Sequence, residues 1–429
     1  MSSYLVRSGR RLEGKVKIGG SKNAALGIVA AAMAVDGPSI IENLPEVSDI
    51  HLLLEICRDC GAEVELLAPD SVRIDPRPVR SSEVLLESVR KLRGSYYLLG
   101  AFLGKYHQVR MYMPGGCDLG SRPIDLHIKG FETLGAEFEM EQDGIVSFKA
   151  DELKGRGIFL DQVSVGATIN IMLAAVHVPG TTVIDNAAKE PHIVDVANFL
   201  NTMGANVRGA GTDVIRIEGR PVLPGNASYM IIPDQIEAGT YMMMAPLTGG
   251  DLLVENVIPK HMEPLSAKLI EMGAKVEEGG DFIRCSMPKG SKLVATSFKT
   301  MPYPGFPTDL QPQSVALLCQ AEGTGRVIEN IYENRFQFIE NLRLMGANII
   351  TSGKLAVISG GTPLYAAPVE ARDLRAGAAM VMAGLIAEGE TRVEKIYPIK
   401  RGYERFLEKM RAIGADIEEV GPSAVRPIW

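Results

Sequence analysis

The sequence predicts an α/β protein built from six copies of one unit of about seventy residues, grouped as two clusters of three. The first sign is a recurring helix end. A helix-like stretch stops at Gly-Ala and a strand-like stretch follows at Gly61-Ala62, Gly135-Ala136, Gly204-Ala205, Gly273-Ala274, Gly346-Ala347 and Gly414-Ala415, with glycines 68 to 74 residues apart. Glycine supplies the left-handed residue that ends an amphipathic helix. So even a period means one supersecondary unit used six times. The second sign runs in phase with it: a turn, a strand and a loop at Gly37–Asn43, Gly180–Asn186, Gly250–Asn256, Gly325–Asn330 and Gly389–Lys395, with a divergent copy beginning at Val109. The third is an almost wholly apolar, small-residue stretch before each such strand, as in Ala24 to Val35, Ser164 to Val176, Ala238 to Leu247 and Ala376 to Ile386.

Each unit then reads, in order, as strand, buried helix, strand, amphipathic helix and two strands. A helix without a polar face must be covered on all sides. Burying one such helix per unit calls for three units packed helix to helix, with their sheets outside. A chain of 429 residues is too long for one core and suits two domains.

Composition bounds the partners. With 46% hydrophobic and 23% charged residues the chain is ordinary globular protein, and no stretch reaches the roughly 18 apolar residues of a membrane span. The opening Met1-Ser-Ser-Tyr-Leu-Val-Arg lacks an apolar signal core, and five cysteines without framework spacing suit a reducing, cytoplasmic setting. A net charge of −7 argues against nucleic acid. Cys57-Arg-Asp-Cys60 falls at the end of an amphipathic helix with no second pair and no nearby histidine, and reads as a helix end rather than a zinc site. The run Met242, Met243, Met244 reads as core filling.

The chemistry gathers at the ends of the units. Met113-Pro-Gly-Gly-Cys117-Asp-Leu-Gly-Ser-Arg122-Pro123 is a glycine-rich loop longer than its counterparts, and a thiol there beside Arg122 is poised for nucleophilic or acid work. Lys22, in Gly-Gly-Ser-Lys22-Asn23, stands before a buried helix, where helix amides and a cation make an anion site. Arg93 takes the equivalent place in the second unit, Asp309 heads the buried helix of the fifth, and Asp373-Leu-Arg375 that of the sixth. Arg335 and Arg401 follow the strands of the fifth and sixth units. Arginines and a lysine so placed suit a substrate bearing phosphate and carboxylate groups.

These segments, together with Ser164-Val-Gly-Ala-Thr, Phe-Pro-Thr-Asp309, Glu-Asn-Arg335-Phe and Arg401-Gly-Tyr-Glu-Arg, resemble the enolpyruvyl transferase family, in particular its UDP-N-acetylglucosamine 1-carboxyvinyltransferases, over essentially the whole chain. The resemblance implies two inside-out α/β domains, with residues 1–21 and 232–429 forming one and 22–231 the other. It implies transfer of enolpyruvate from phosphoenolpyruvate to the 3′-hydroxyl of UDP-N-acetylglucosamine, the first committed step of peptidoglycan synthesis, with no metal or organic cofactor. Cys117 matches the family's loop cysteine, which protonates the phosphoenolpyruvate methylene and is alkylated by fosfomycin. Lys22, Arg122 and Arg401 match the phosphoenolpyruvate clamp, and Arg93, Arg335 and Arg375 its supporting cations. Asp309 matches the residue that takes the sugar hydroxyl proton. Asn23, Asp373 and Ile331 fall at further substrate contacts. The stretch Arg122, Pro123, Ile124, Asp125 and Leu126, with Gln162, Val163, Ser164 and Val165, resembles the uridine and diphosphate pocket.

The chain departs from the family pattern at Ser48, Gln162 and Gln235, where basic residues are common, and at His192, often glutamate. The expected acid, base and core arginines are all kept, so the departures bear on affinity, conformational coupling or the identity of the nucleotide sugar rather than on the transfer itself. The alternative reading is a paralogous enolpyruvyl transferase acting on a different nucleotide sugar.

Overall fold

The computed structural model describes residues 2–115 and 123–421. It contains six four-stranded sheets with one topology: an edge strand runs parallel to the second strand, and the remaining two are antiparallel. The third unit shows the pattern within a single stretch of chain. Gly157–Phe159 lies parallel to Thr181–Asp185, which pairs antiparallel with Val214–Glu218, and Asn206–Arg208 forms the far edge. The buried helix Val165–Ala175 joins the first two strands, and the amphipathic helix Pro191–Thr202 crosses to the far edge.

All six Gly-Ala junctions close their helices in the same way. The glycines have φ between +92° and +113°. Each donates its N–H three residues back, and the following alanine donates five residues back, as in Gly61 to Arg58 and Ala62 to Cys57. This is the Schellman arrangement, which satisfies carbonyls that a helix end otherwise leaves without donors. The Asn ending the second strand has an equally repetitive task. The side-chain amides of Asn43, Asn186, Asn256 and Asn330 donate to the carbonyls of Ile231, Leu160, Ile18 and Thr300 at 2.8, 2.8, 2.6 and 3.0 Å. Each bond fastens the parallel edge strand just past its last residue.

Among the described residues the chain folds into two compact units, one taking in 2–19 and 233–421, the other 20–115 and 123–232. Each has its own core of three buried helices. In the Gly20–Ile232 unit these are Lys22–Ala34, Tyr97–Tyr106 and Val165–Ala175, and in the other Gln235–Leu247, Gln311–Gln320 and Leu374–Gly384. Small residues allow the helices to meet backbone to backbone. A Cβ on Gly100 would lie 2.1 Å from the carbonyl oxygen of Asn170, and one on Gly104 2.4 Å from that of Ala174. Serine or aspartate caps four of the six helices: Ser21, Ser164, Asp234 and Asp373 accept from the first-turn amides.

Not every unit is continuous in the chain. Ala227–Met230 is the parallel edge of the first unit's sheet, while Glu13–Lys17 edges the fourth beside Asp251–Glu255. Ser3–Arg7 lies inside the sixth sheet, between Glu390–Glu394 and Asp416–Val420. The two exchanged edge strands are short and largely exposed, so their side chains carry no pattern that specifies a partner. Cys57 is wholly buried and Cys60 occupies the C-cap of Ser48–Asp59, a helix end as the sequence predicts.

Candidate active site

In the Gly20–Ile232 unit, Lys22 is the first residue of its helix, and the Ser21 cap leaves the helix amides pointing toward the same end. The Lys22 ammonium is 2.7 Å from the Asp49 carboxylate, in the first turn of Ser48–Asp59, and both side chains are largely buried. Asn23 follows, half-buried. Arg93 opens the short helix Arg93–Tyr96, its guanidinium carbon 5.7 Å from the centre of the Tyr96 ring.

Three of the expected segments converge near Tyr96. Pro123 and Ile124 lead into Asp125–Leu134, on which Asp125 is exposed while Leu126 and His127 are buried. Val163 and Ser164 lead into Val165–Ala175, and Gly166 lies so near that a Cβ there would come within 2.5 Å of the Tyr96 hydroxyl and 3.1 Å of His127 Nε2. Asn170 sits beneath. It donates to the Tyr96 carbonyl at 3.0 Å, accepts from the Gly100 amide at 2.8 Å, and lies 2.9 Å from His127 Nδ1. Burial, and secondarily the Arg93 charge, lowers the His127 pKa to about 3, so its imidazole is neutral. The Lys129 ammonium binds Asp161 at 2.7 Å next to the exposed Gln162, which ties the same two segments together at the surface.

In the other unit, Asp309 lies in the short helix Thr308–Leu310, immediately before the buried helix Gln311–Gln320. Its two carboxylate oxygens are shared out. Oδ1 accepts from Arg335 Nη2 at 3.2 Å and Oδ2 from Arg375 Nη2 at 3.1 Å. Both arginine side chains are buried, 2% and 4% exposed, whereas the carboxylate is 28% exposed and so faces an opening. Burial works against the charge on Arg375, yet Asp309, Tyr403 and Asp234 more than offset it and its pKa is raised. Arg335 Nε and Arg375 Nη1 have no hydrogen-bond partner among the described residues, so each guanidinium keeps donor capacity. The Tyr403 hydroxyl, under Arg375, joins Thr240 and Gln313 at 2.9 and 3.0 Å. The Asp373 carboxylate caps its own helix through the Arg375 and Ala376 amides at 2.8 and 2.9 Å. Ile331 is partly exposed, and Arg401 ends the short helix Tyr397–Lys400.

Cys117 and Arg122 lie outside the described residues. Sequence reasoning missed Asp49 and the Tyr96–His127–Asn170 cluster. Asp49 and Asn170 sit inside helical patterns and give no local sign. His127, two residues past Asp125, was within reach of the motif already read. Of the departures, Ser48, His192 and Gln235 occupy helix first turns, and Gln162 is exposed.

Each compact unit thus sets three like sheets around three buried helices and carries charged side chains at helix starts, Lys22 in one and Asp309 and Arg375 in the other. The same architecture is found in the enolpyruvyl transferase NikO from Streptomyces tendae, with a TM-score of 0.89 and 26% identity across 98% of this chain and 99% of that one. It recurs in the EPSP synthase of Acinetobacter baumannii, with a TM-score of 0.77 and 22% identity across 98% and 100%, a likeness of fold alone. Residues 6–410 match the family model described as EPSP synthase (3-phosphoshikimate 1-carboxyvinyltransferase). The chain is 52% identical to UDP-N-acetylglucosamine 1-carboxyvinyltransferase 3 of Caldanaerobacter subterraneus subsp. tengcongensis, across 97% of this chain and 99% of that protein. It is 51% identical to the UDP-N-acetylglucosamine 1-carboxyvinyltransferase of Halothermothrix orenii, across 98% and 100%. The chain therefore belongs to the EPSP synthase family, among its UDP-N-acetylglucosamine 1-carboxyvinyltransferases.

Proposed function

We propose that this protein transfers the enolpyruvyl group of phosphoenolpyruvate to the 3′-hydroxyl of UDP-N-acetylglucosamine and releases inorganic phosphate, as a cytoplasmic enzyme opening peptidoglycan synthesis. The observation that carries this reading is half-identity to relatives of that name across nearly the whole chain, joined to a carboxylate gripped by two buried guanidiniums at a helix start.

The reaction is an addition followed by an elimination. A proton goes to the phosphoenolpyruvate methylene as the sugar oxygen bonds to the adjacent carbon, giving a tetrahedral ketal. That ketal then loses a methyl proton and phosphate, which restores the vinyl group. The addition needs an acid for the methylene and a base for the hydroxyl. In this reading Cys117 is the acid and Asp309 the base. Lys22, Arg122 and Arg401 hold phosphoenolpyruvate, and Arg93, Arg335 and Arg375 act as supporting cations. Cations around phosphate and carboxylate fix the reacting atoms and stabilise developing charge. The two oxygens of Asp309 are each tied to a guanidinium, so the carboxylate is held in one orientation before substrate arrives. Asn23 and Ile331 contact the sugar substrate, and Pro123 to Leu126 with Gln162 to Val165 receive the uridine and diphosphate. Asp373 contributes by fixing the start of the helix that carries Arg375.

The test is phosphate release from phosphoenolpyruvate with a panel of acceptors: UDP-N-acetylglucosamine, other UDP-sugars and shikimate 3-phosphate. Release with UDP-N-acetylglucosamine is expected. Release only with another acceptor, or with none, overturns the reading.

A further inference from the structure

We infer that Glu329 is a positioning residue for the transfer: it sets the place of Asp309 through Thr308, and of Arg335 through Tyr332. The inference rests on the function proposed above. Glu329 ends the strand signature of the fifth unit, directly after Gly323–Ile328. The corresponding acids Glu42, Asp185, Glu255 and Glu394 are partly exposed, but Glu329 is 1% exposed. It turns inward and accepts four hydrogen bonds. Oε2 takes the Thr308 hydroxyl at 2.9 Å, while Oε1 takes the Thr300 hydroxyl at 3.0 Å and the amides of Ile331 and Tyr332 at 2.8 and 3.1 Å.

Those partners flank the site. Thr308 is bonded to Asp309 in the chain. The Tyr332 ring lies under the Arg335 guanidinium, 5.4 Å from centroid to carbon, and Arg335 in turn holds Asp309 Oδ1 at 3.2 Å. One buried carboxylate thus fastens the backbone before Asp309 and the platform beneath one of its arginines. A repeat that merely needed a loop staple has one in Asn330, which donates to the Thr300 carbonyl at 3.0 Å as its counterparts do. The extra carboxylate contact reaches Thr308, the residue beside the proposed base.

The experiment compares Thr308→Val, Thr308→Ser, Glu329→Gln and the double variant Glu329→Gln/Thr308→Val. Glutamine keeps an oxygen for Thr300, Ile331 and Tyr332 and alters the contact to Thr308, so the loop frame stays. Displacing a reacting group slightly costs rate rather than binding, and Thr308→Val and Glu329→Gln should each lower kcat about tenfold with both KM values within about twofold. Thr308→Ser should restore kcat. Because both changes act on one link, the double variant should be no slower than the slower single variant. A wild-type kcat in Thr308→Val, or losses in the double variant that multiply, overturns the inference. A crystal structure of Thr308→Val reads it without turnover: the Asp309 carboxylate should leave its place between Arg335 and Arg375, and an unmoved carboxylate overturns it. Should the wild type release no phosphate with any acceptor, the proposed function falls while that crystal structure still decides the positioning.

Discussion

Removing Asp309 should cost more stability than removing either arginine that binds it. In Asp309→Ala two charge-assisted hydrogen bonds vanish, each contributing roughly 1.5–3 kcal/mol. Two guanidiniums, 2% and 4% exposed, are left without that counter-charge. Stranding a buried charge in this way costs about 3–5 kcal/mol. Arg375→Met breaks one of the same bonds but also removes a charge whose burial is unfavourable, leaving a carboxylate that is 28% exposed and still bound by Arg335. Its expected cost is therefore about 0–2 kcal/mol. The assay is urea denaturation followed by far-ultraviolet circular dichroism, read as the midpoint of the transition assigned to the Asp309 unit, because a chain of two compact units need not unfold in one step. Phosphate release, measured alongside, should fall steeply in both variants. An Asp309→Ala midpoint equal to wild type, or an Arg375→Met loss exceeding that of Asp309→Ala, would refute the reasoning that the carboxylate neutralises two buried cations.

Burial pushes the Asp195 carboxyl up to about 6, against hydrogen bonds from the Tyr229 hydroxyl at 2.5 Å and the Ile232 amide at 3.2 Å. The folded state therefore holds this proton more tightly than the unfolded chain. Its contribution to stability is full below about pH 4 and is lost as pH rises through about 6, a change of about 3 kcal/mol. Asp195→Asn should flatten the stability–pH curve over that window, and an unchanged difference between pH 4 and pH 7 would count against it. Asn170→Leu should destabilise by about 2–4 kcal/mol, since it removes the side-chain amide that the Gly100 amide, the Tyr96 carbonyl and His127 Nδ1 share; a melting temperature within a degree of wild type would contradict this. Gln162→Lys should lower the KM for UDP-N-acetylglucosamine while leaving that for phosphoenolpyruvate alone, and an unchanged KM would argue against a diphosphate at this surface. Cys117→Asp should keep activity and resist fosfomycin, because a carboxylic acid delivers a proton but is not readily alkylated; full sensitivity would exclude the assignment.

Much of the architecture was legible because its signals are local. A left-handed residue at a helix end admits glycine far more readily than any other, so six Schellman endings are written as six Gly-Ala pairs. Helices covered on every side are written as Ala, Gly and Met runs, since only small or pliant side chains let three helices meet. Asp309, Arg335 and Arg375 could be picked out because charges at helix and strand ends stand apart from their neighbours in the repeat. What the sequence determined by itself was thus the unit, its count and the residues at its ends. Tertiary structure alone decided which strands changed places, as Glu13–Lys17 and Ala227–Met230 did, because an edge strand's backbone bonds are indifferent to side-chain identity. It alone decided that Lys22 meets Asp49, and that Glu329 turns inward where four like acids do not. A contact between distant segments depends on where two backbones come to rest, and no single stretch of sequence records that distance.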